Sequence, residues 1–422
     1  MSEWQIKKIK DVTVKVGSGS TPRGGQSVYI ENGCTLIRSQ NVYDFKFEKD
    51  GLVFIGEEHA EKLKSVTLQK NDILLNITGD SVGRCCIVPS ELLPARVNQH
   101  VAIIRTNDDN NPKFLMYYLN DPSNKERLLN QVHGGTRKAL TKGIIEEFEI
   151  KVPSLEEQNQ IVSILDSLDQ KIELNLKMNE TLEMTVRTLY KNWFVDFEPF
   201  KNEEFEETKF GKIPNGWKMV SLDDYCNLIT DGAHASPREF PNDKFIATVK
   251  DIEEYSFNNS TFKSISDEDF EKLVAGNCQP IKGDVLLSKD GTIGKVLYIS
   301  ETLKNVVLLS SIAILRPKFS SYYLYTYLRD PLNKEMIVNG YVSGSALTRL
   351  VLKSIKNIPI LLPTDEVLNE FDNKVENLIE QISANQEENI YLIKTRDYLI
   401  KKLLSGDIEL SNEIKGEKIV TI

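Results

Sequence analysis

The chain carries the same sequence pattern twice, and this duplication constrains its fold more than any other feature. The segment NDILLNITGDSVGR at 71–84 matches GDVLLSKDGTIGK at 283–295, and YLNDPSNKE at 118–126 matches YLRDPLNKE at 327–335 with seven identities in nine positions. Trp4 corresponds to Trp217, and the offset between matched positions stays between 207 and 213 along the whole chain. A register kept over this length indicates an internal duplication, so we expect two units of similar architecture.

Each half divides into a lobe of mixed structure and a long helix. In the lobes, β-branched runs at 73–77, 87–88 and 306–315 are interrupted by Gly, Asn and Asp, which predicts short strands and turns. The apolar segment FLMYYLND at 114–121 predicts a helix within the first lobe. The lobes are therefore expected to combine small sheets with one or two helices each.

The period of the apolar residues changes after each lobe. From Ile161 to Trp193 and from Phe371 to Leu403 they recur every three or four positions, which predicts two long helices. Ser154 with Glu157 predicts a capping box at the start of the first helix, and Pro199 and Gly406 predict the ends of the two helices.

The predicted fold class is α+β, with two pseudo-symmetric mixed α/β domains joined by two long antiparallel helices that form a coiled coil. The predicted segments are a first lobe at 1–152, a central helix at 153–198, a linker at 199–216, a second lobe at 217–362, a distal helix at 363–405 and a C-terminal tail at 406–422. A seam from Ile161 to Trp193 spans roughly 50 Å at 1.5 Å per residue, so the helices would hold the lobes apart.

Polar residues stand at apolar seam positions in the centre of both helices. These helix-register candidates are Asn175, Asn179, Asn385 and Asn389. A buried asparagine costs stability in such a seam but fixes the register, because its amide requires a polar partner. In antiparallel helices Asn175 would meet Asn389 and Asn179 would meet Asn385; the alternative is a hydrated, frayed helix centre. Arg396 interrupts the second seam, either to bind an acidic partner or to extend its guanidinium into solvent.

Composition excludes several classes of protein. No run of 18 apolar residues exists, so we expect no membrane span, and the N-terminus has no apolar core typical of a signal peptide. Five cysteines without a CxxC pair and four scattered histidines predict a reduced, cytoplasmic protein with no metal site. The net charge of −10 lies in the helical segments 151–210 and 363–422, at −6 each, whereas the lobes are near neutral at +1 each. Near-neutral lobes permit nucleic-acid binding without requiring it.

A search for catalytic motifs finds only partial matches. Asn111-Pro112-Lys113-Phe114 approaches an amino-methyltransferase motif but lacks its second proline. The glycines of 79–83 and 291–295 complete neither GxGxxG nor GxxxxGK[ST]. We therefore predict no catalytic residues.

The order of several motifs resembles the specificity subunits of type I restriction-modification enzymes. The resemblance rests on IKVPSLEEQNQIVSILD at 150–166, LYKNWFVDFEP at 189–199, IPNGWKMVSL at 213–222, the TGDSVGR and DGTIGK loops, and LLSGDI at 403–408. It implies that the lobes are target-recognition domains, each reading one part of a split, asymmetric sequence in double-stranded DNA. It also implies that the helices dock two methyltransferase (modification) subunits, that restriction/translocase subunits join the full complex, and that S-adenosylmethionine, Mg and ATP bind only on those partners.

Sequence readout requires polar side chains on loops that reach the base edges, with basic contacts to phosphate. In the first lobe the candidates are Ser20, Thr21, Arg23, Gln26, Arg38, Gln40, Asn41, Arg84, Asn98, Gln99, His100, Arg137 and Lys138. In the second lobe they are His234, Ser236, Arg238, Lys250, Lys289, Lys295, Ser310, Ser343, Ser345 and Arg349. The alternative for each is an ordinary polar loop residue. Arg84 and Lys295, at matched positions, either bind phosphate or pair with a nearby Asp as part of the scaffold.

Three other functions stay open at this point. A protein-assembly scaffold would bind DNA weakly and without the steep salt dependence of phosphate contacts. The recognition half of a self-contained restriction enzyme would bind DNA without a methyltransferase partner. An enzyme of another class would require a pocket with perturbed titratable residues.

Overall fold

The computed structural model of the chain describes residues 4–131, 139–208, 211–342 and 348–406. Its contacts divide the chain into two compact units, and both of the long helices contribute to both units. The first unit runs to Ile172 and resumes at Tyr391, and the second is Glu173–Ile390. The prediction of a mixed α/β chain with two similar domains is confirmed.

The described residues of the first unit form ten strands and four short α-helices before the long helix. The strands are β1 (Gln5–Lys8), β2 (Thr13–Ser18), β3 (Tyr29–Ile30), β4 (Cys34–Ile37), β5 (Val53–Ile55), β6 (Ile73–Asn76), β7 (Cys85–Ile87), β8 (Ala95–Val97), β9 (Val101–Thr106) and β10 (Glu149–Val152). The helices are α1 (Glu57–Lys62), α2 (Pro112–Asn120), α3 (Pro122–Leu129), α4 (Lys142–Glu147) and the long α5 (Leu155–Phe194). The predicted helix at 114–121 is confirmed as part of α2.

Three sheets organise the first unit. One has the order β2-β9-β6-β7, a second has the order β3-β5-β4-β8, and β1 pairs with β10. The pair β4–β8 is parallel, whereas the other pairs are antiparallel. Strand β6 is buried along its whole length because its two faces contribute to two different apolar clusters, through Ile73 and Leu75 on one side and Leu74 on the other.

The second unit repeats this construction. Its strands are β11 (Phe205–Thr208), β12 (Gly211–Pro214), β13 (Lys218–Ser221), β14 (Cys226–Asp231), β15 (Lys244–Ala247), β16 (Lys263–Ile265), β17 (Val285–Ser288), β18 (Val296–Tyr298), β19 (Val306–Leu308), β20 (Ile312–Pro317) and β21 (Pro359–Leu362). Its helices are α6 (Leu222–Tyr225), α7 (Asp267–Ala275), α8 (Ser321–Arg329), α9 (Pro331–Tyr341), α10 (Leu352–Lys356) and the long α11 (Asp365–Ser405).

The sheets of the second unit repeat the strand orders of the first, except that β3 and the hairpin β11–β12 have no counterpart. The order β14-β20-β17-β18 corresponds to β2-β9-β6-β7, and β16-β15-β19 corresponds to β5-β4-β8. The pair β15–β19 is parallel, as β4–β8 is, and β13 pairs with β21 as β1 does with β10. The duplication of the sequence is therefore a duplication of the topology.

The long helices supply apolar residues to the cores of the units. In the first unit, Ile161 and Leu165 of α5 and Leu403 of α11 belong to the same buried cluster as helix α2. In the second unit, Val186 and Trp193 belong to the cluster that surrounds β17 and β20. Helix α11 ends at Ser405, and Gly406 follows with a φ of +81°, which confirms the predicted terminator.

Arg396 has a structural role within the first unit. Its guanidinium lies 4.0 Å from the centre of the Phe45 ring, and its Nη1 donates to Oδ1 of Asp169 at 2.8 Å. The hydroxyl of Tyr117 donates to the other oxygen of Asp169 at 2.6 Å. Burial opposes the charge of Arg396, but the carboxylate of Asp169 holds its pKa above the ordinary value. Of the two alternatives for Arg396, the structure supports an acidic partner, which is Asp169 of the same chain, and not a guanidinium extended into solvent.

The four asparagines of the helix centres lie together inside the second unit, where α5 and α11 run antiparallel. Nδ2 of Asn175 donates to Oδ1 of Asn389 at 2.9 Å, and Nδ2 of Asn385 donates to Oδ1 of Asn179 at 2.8 Å. All four side chains are buried. These contacts are the two pairs expected from the seam positions, whereas control of the helix register stays a prediction.

The run 306–315 forms two strands, because residues 309–311 carry the chain from β19 into a different sheet at β20. One other expectation requires correction. The segment 199–216 is not a plain linker, because it contains the hairpin β11–β12 and buries Phe200 against Trp217, with ring centres 5.0 Å apart. Its acidic residues are solvent-facing, and they concealed the few apolar residues that attach it to the core.

Candidate nucleic-acid interface

In the first unit, the loop that follows β2 crosses directly over the turn between β8 and β9. The amide of Gly19 donates to the carbonyl of Val101 at 2.8 Å, and that of Ser20 donates to Val97 at 2.9 Å. A Cβ atom on Gly19 would lie 2.3 Å from the carbonyl oxygens of Val97 and Asn98. Only glycine permits this approach without a shift of the backbone, so the residue fixes where the polar loop lies.

Further loops join the same crossing. The amide of Ile77 donates to the carbonyl of His100 at 3.0 Å, and that of Leu140 donates to Ile77 at 2.9 Å. Thr78 and Ala139 form an isolated antiparallel bridge. Segments that lie far apart in the sequence are thus held together at one end of the β2-β9-β6-β7 sheet.

The second unit makes the same crossing with the corresponding residues. The amide of Ala233 donates to Leu308 at 2.8 Å, that of Lys289 to Ser311 at 2.9 Å, and that of Leu350 to Lys289 at 2.9 Å. A Cβ on Gly232 would lie 2.0 Å from the carbonyl oxygen of Leu308. The backbone framework of the candidate interface is therefore the same in both units.

Neutral polar side chains surround the crossing in the first unit. Oγ1 of Thr78 lies 2.6 Å from Nδ1 of His100, and Nε2 of Gln99 lies 3.5 Å from the other ring nitrogen. Thr21 accepts a long hydrogen bond of 3.5 Å from the amide of Gln99. Hydroxyl, imidazole and carboxamide groups can each donate or accept a hydrogen bond, as recognition of base edges requires.

Charged side chains occupy the corresponding place in the second unit. Nζ of Lys289 lies 3.2 Å from Oδ2 of Asp231 and 3.2 Å from Oδ2 of Asp290. Nε of Arg349 lies 3.4 Å from Oδ1 of Asp290, and Nε2 of His234 lies 3.3 Å from Oδ1 of Asp231. The two units therefore present different chemistry on the same framework.

The predicted DNA-contacting residues fall into three groups by exposure. The exposed group is Arg23, Gln26, Gln40, Gln99, His234, Ser236, Arg238, Lys250 and Arg349. The half-buried group is Ser20, Thr21, Arg38, Arg84, His100, Lys295 and Ser310. Arg137, Lys138, Ser343 and Ser345 lie outside the described residues, and the remaining three candidates are buried.

The buried candidates have structural partners instead of a free surface. Nδ2 of Asn41 donates to the carbonyls of Glu48 and Asp50 at 3.0 and 3.1 Å, and Asn98 accepts from the amide of His100 at 3.1 Å. Lys289 is held by its two carboxylates. We correct Asn41 and Lys289 to scaffold positions, because their polar atoms already satisfy neighbouring groups of the protein. Asn98 is engaged only through Oδ1 among the described residues, so it stays a candidate.

Several half-buried candidates also hold loops in place. The guanidinium of Arg38 donates to the carbonyl of Gly51 at 2.5 Å, and that of Arg84 lies 4.5 Å from the centre of the Tyr43 ring. Lys295 donates through Nζ to the carbonyl of Ile252. Neither Arg84 nor Lys295 forms an ion pair with an Asp among the described residues, so the expected Asp pairing at these matched positions is wrong.

Sequence reasoning missed Thr78, Asp231 and Asp290, although all three lie at the crossing. The available signal was the duplication itself: Thr78 and Asp290 share an offset of 212 beside a matched glycine, yet differ in chemistry. Matched backbone positions with unlike polar side chains are candidates for recognition.

Two features are absent from the described residues. No group of three or more His, Cys, Asp or Glu side chains has an arrangement that could hold a metal ion. No helix in the same part of the chain combines the length and the apolar character that a membrane span requires.

Comparisons with known proteins give consistent matches. The family model for the type I restriction modification DNA specificity domain matches residues 1–184 and again 214–392. The chain is 30% identical over 421 residues to the Type I restriction enzyme MjaIX specificity subunit of Methanocaldococcus jannaschii, covering 97% of this chain and 94% of that protein. It is 25% identical over 474 residues to the HindI specificity subunit of Haemophilus influenzae, covering 97% and 100%. The crystal structure of a Type-I restriction-modification system S subunit from M. genitalium has the same fold, with a TM-score of 0.58, 16% identity and 97% of each chain covered.

Proposed function

The chain belongs to the family of type I restriction-modification DNA specificity subunits, and from that premise we propose that its two lobes read the two halves of one bipartite, asymmetric DNA site. The observation that carries the proposal is the repeated loop crossing, in which one backbone framework displays Thr78 and His100 in the first unit and Asp290 and Arg349 in the second. Equal frameworks place the lobes similarly on DNA, and unlike side chains select unlike bases.

The long helices would set the distance between the two half-sites. Helix α5 contains 40 residues and α11 contains 41, so each is about 60 Å long at 1.5 Å per residue. The buried pairs Asn175–Asn389 and Asn179–Asn385 support a fixed register, because a shift of one helix along the other would break both hydrogen bonds. Oδ1 of Asn175 and Nδ2 of Asn389 have no hydrogen-bond partner among the described residues.

The chemistry of modification and cleavage would belong to other chains. We propose that this chain is non-catalytic and recruits two methyltransferase subunits, with restriction/translocase subunits added in the full complex. S-adenosylmethionine, Mg and ATP would bind on those partners. The specificity subunits among its relatives support this division of labour.

The test is to express the chain with its neighbouring methyltransferase subunit in a host free of DNA methylation and to map modified bases across the genome. We expect a single split, asymmetric motif with a fixed spacer, which disappears when this chain is omitted. An active methyltransferase complex that yields no such motif would overturn the proposal and favour an assembly scaffold.

Exposed apolar side chains on α5 support docking of a partner on the helices. Leu174 and Met184 are 54% and 67% exposed, and they lie on an acidic helical segment that favours a basic docking surface. We expect Leu174→Asp combined with Met184→Asp to weaken the affinity for the methyltransferase subunit by at least about tenfold, since charges replace buried interface contacts. Titration of the labelled methyltransferase subunit against the purified chain measures this affinity.

The matched control is Leu174→Met combined with Met184→Leu, which keeps the apolar surface and should bind as the wild type does. Equal affinity of the aspartate variant and the wild type would show that the partner docks elsewhere.

A further inference from the structure

We propose that Arg349 reads a guanine in the half-site of the second lobe, and that Asp290 orients its guanidinium for this contact. The inference rests on the proposed function, and it names the residue and the base on which one position of the target depends.

The geometry of the second crossing holds Asp290 in one orientation. Its Oδ2 lies 3.2 Å from Nζ of Lys289, which is itself buried and bound by Asp231 at the same distance. The other oxygen, Oδ1, lies 3.4 Å from Nε of Arg349, an ion-pair distance, and this buried atom accepts no hydrogen bond from the described residues. A carboxylate fixed from behind by a buried lysine is a rigid support for the arginine in front of it.

This contact leaves the guanidinium able to form a bidentate contact with a ligand. In the part of the chain that the structure describes, Arg349 has one ion pair, through Nε, so neither Nη atom has a partner there, and the arginine side chain is 63% exposed. The backbone of Arg349 is also tied down, because it forms an isolated bridge with Asp290. An exposed arginine with a fixed stem and two available Nη groups matches the N7 and O6 acceptors of guanine in the major groove.

Comparison with the first unit indicates that the position of Arg349 serves specificity and is not a feature that both scaffolds share. Its matching bridge joins Thr78 to Ala139, so the residue that corresponds to Arg349 has no functional group there. The phosphate backbone is the same at both half-sites, so a general phosphate contact would be useful in both lobes. A side chain that stands in only one lobe on the same framework fits a contact with one particular base.

The test uses the full chain in complex with its methyltransferase subunit and maps the modified motif for the wild type and for Arg349→Ala, Arg349→Lys and Asp290→Asn. We expect each variant to lose discrimination for guanine at one position of one half-site, by about 10- to 100-fold for both Arg349 variants, with the other half-site unchanged. Arg349→Lys keeps the positive charge, so a loss of guanine discrimination in this variant would exclude a simple phosphate contact. Lys272→Ala is the matched control, since Lys272 is exposed on α7 of the same lobe, forms no ion pair among the described residues and is not a candidate DNA contact, and it should leave the motif intact.

Each outcome separates this inference from the proposed function. A wild-type motif without guanine in one half-site, or an Arg349→Ala motif equal to the wild type, would overturn the role of Arg349 while bipartite recognition stands. An unchanged motif in Asp290→Asn, beside a relaxed one in Arg349→Ala, would overturn the orienting role of Asp290. The absence of any wild-type motif would overturn the proposed function itself.

Discussion

Replacement of Arg105 by alanine is expected to lower the free energy of unfolding of the first unit by about 3–5 kcal/mol, because it leaves a buried carboxylate without its counter-charge. Asp72 is fully buried, and its two oxygens accept from Nε and Nη2 of Arg105 at 2.6 and 2.7 Å. Asp72 also accepts from the amide of Gln69 at 2.7 Å. One hydrogen bond from a neutral amide does not compensate a buried negative charge. The loss of stability therefore falls on β9, which contains Arg105, and on β6, which directly follows Asp72.

Hydrogen exchange of the full chain measures the effect locally, since amides in β6 and β9 report the opening of the first unit. The corresponding strands β17 and β20 serve as an internal reference within the same molecule. Arg105→Lys should give a smaller loss because it keeps the charge but not the bidentate geometry. A decrease below about 1 kcal/mol in β6 and β9 would show that the pair is not a structural requirement.

The second unit offers a repeat of the experiment. Nε and Nη2 of Arg316 donate to Asp284 at 2.8 and 2.9 Å, and these bonds hold the pKa of the arginine above its ordinary value. Arg316→Ala should therefore destabilise β17 and β20 instead. Lys62→Ala, which removes an exposed ion pair with Glu58, should change neither unit measurably.

The repeated fold could be predicted because its signals are local or periodic. A constant offset of about 210 residues requires only comparison of the chain with itself, and the spacing of apolar residues identifies both long helices. The pairs of asparagines followed from seam positions and an antiparallel direction. In each case the physical cause is a repeated pattern of buried residues, and this pattern is visible in the sequence itself.

The recognition surface was only partly predictable, because it depends on contacts between distant segments. Asn41 looked like a loop residue free to reach DNA, but its amide bonds to carbonyls that only the folded loop brings near. Lys289 looked like a DNA-contacting residue, but its Nζ lies 3.2 Å from Oδ2 of Asp231, which belongs to the distant strand β14. Polarity in the sequence shows that a side chain needs a partner, whereas the fold decides whether the partner is DNA or the protein.

The turn at 309–311 shows the same limit for the strands. The run 306–315 contains no Gly or Pro, so the sequence does not show where a strand within it would end. The break arises because the amide of Leu309 donates to Ala247 at 2.8 Å and that of Ser310 donates to Ala233 at 2.9 Å. Those partners belong to the loop crossing, so the interruption of the strand and the assembly of the recognition surface have one cause.

Because the loop crossing of the first unit has no room for a side chain at Gly19, we expect Gly19→Ala to lower the free energy of unfolding of that unit by about 3 kcal/mol. The same variant should abolish recognition of one half-site. The new Cβ would lie 2.3 Å from two carbonyl oxygens, and backbone cannot rotate away as a flexible side chain can, so the loop carrying Gln99 and His100 must move. Gly17→Ala is the matched control, since nothing lies within 4 Å of a Cβ at that position, and it should keep the wild-type stability or gain slightly.

Motif mapping of the methyltransferase complex and hydrogen exchange test the two parts of this prediction together. Gly19→Ala should degrade one half of the motif, and Gly232→Ala, whose Cβ would lie 2.0 Å from the carbonyl of Leu308, should degrade the other half. Opposite half-sites lost in the two variants would assign each lobe to its own part of the target. Loss of both halves in either variant would instead mean that the crossing supports the whole chain and that the lobes do not read independently.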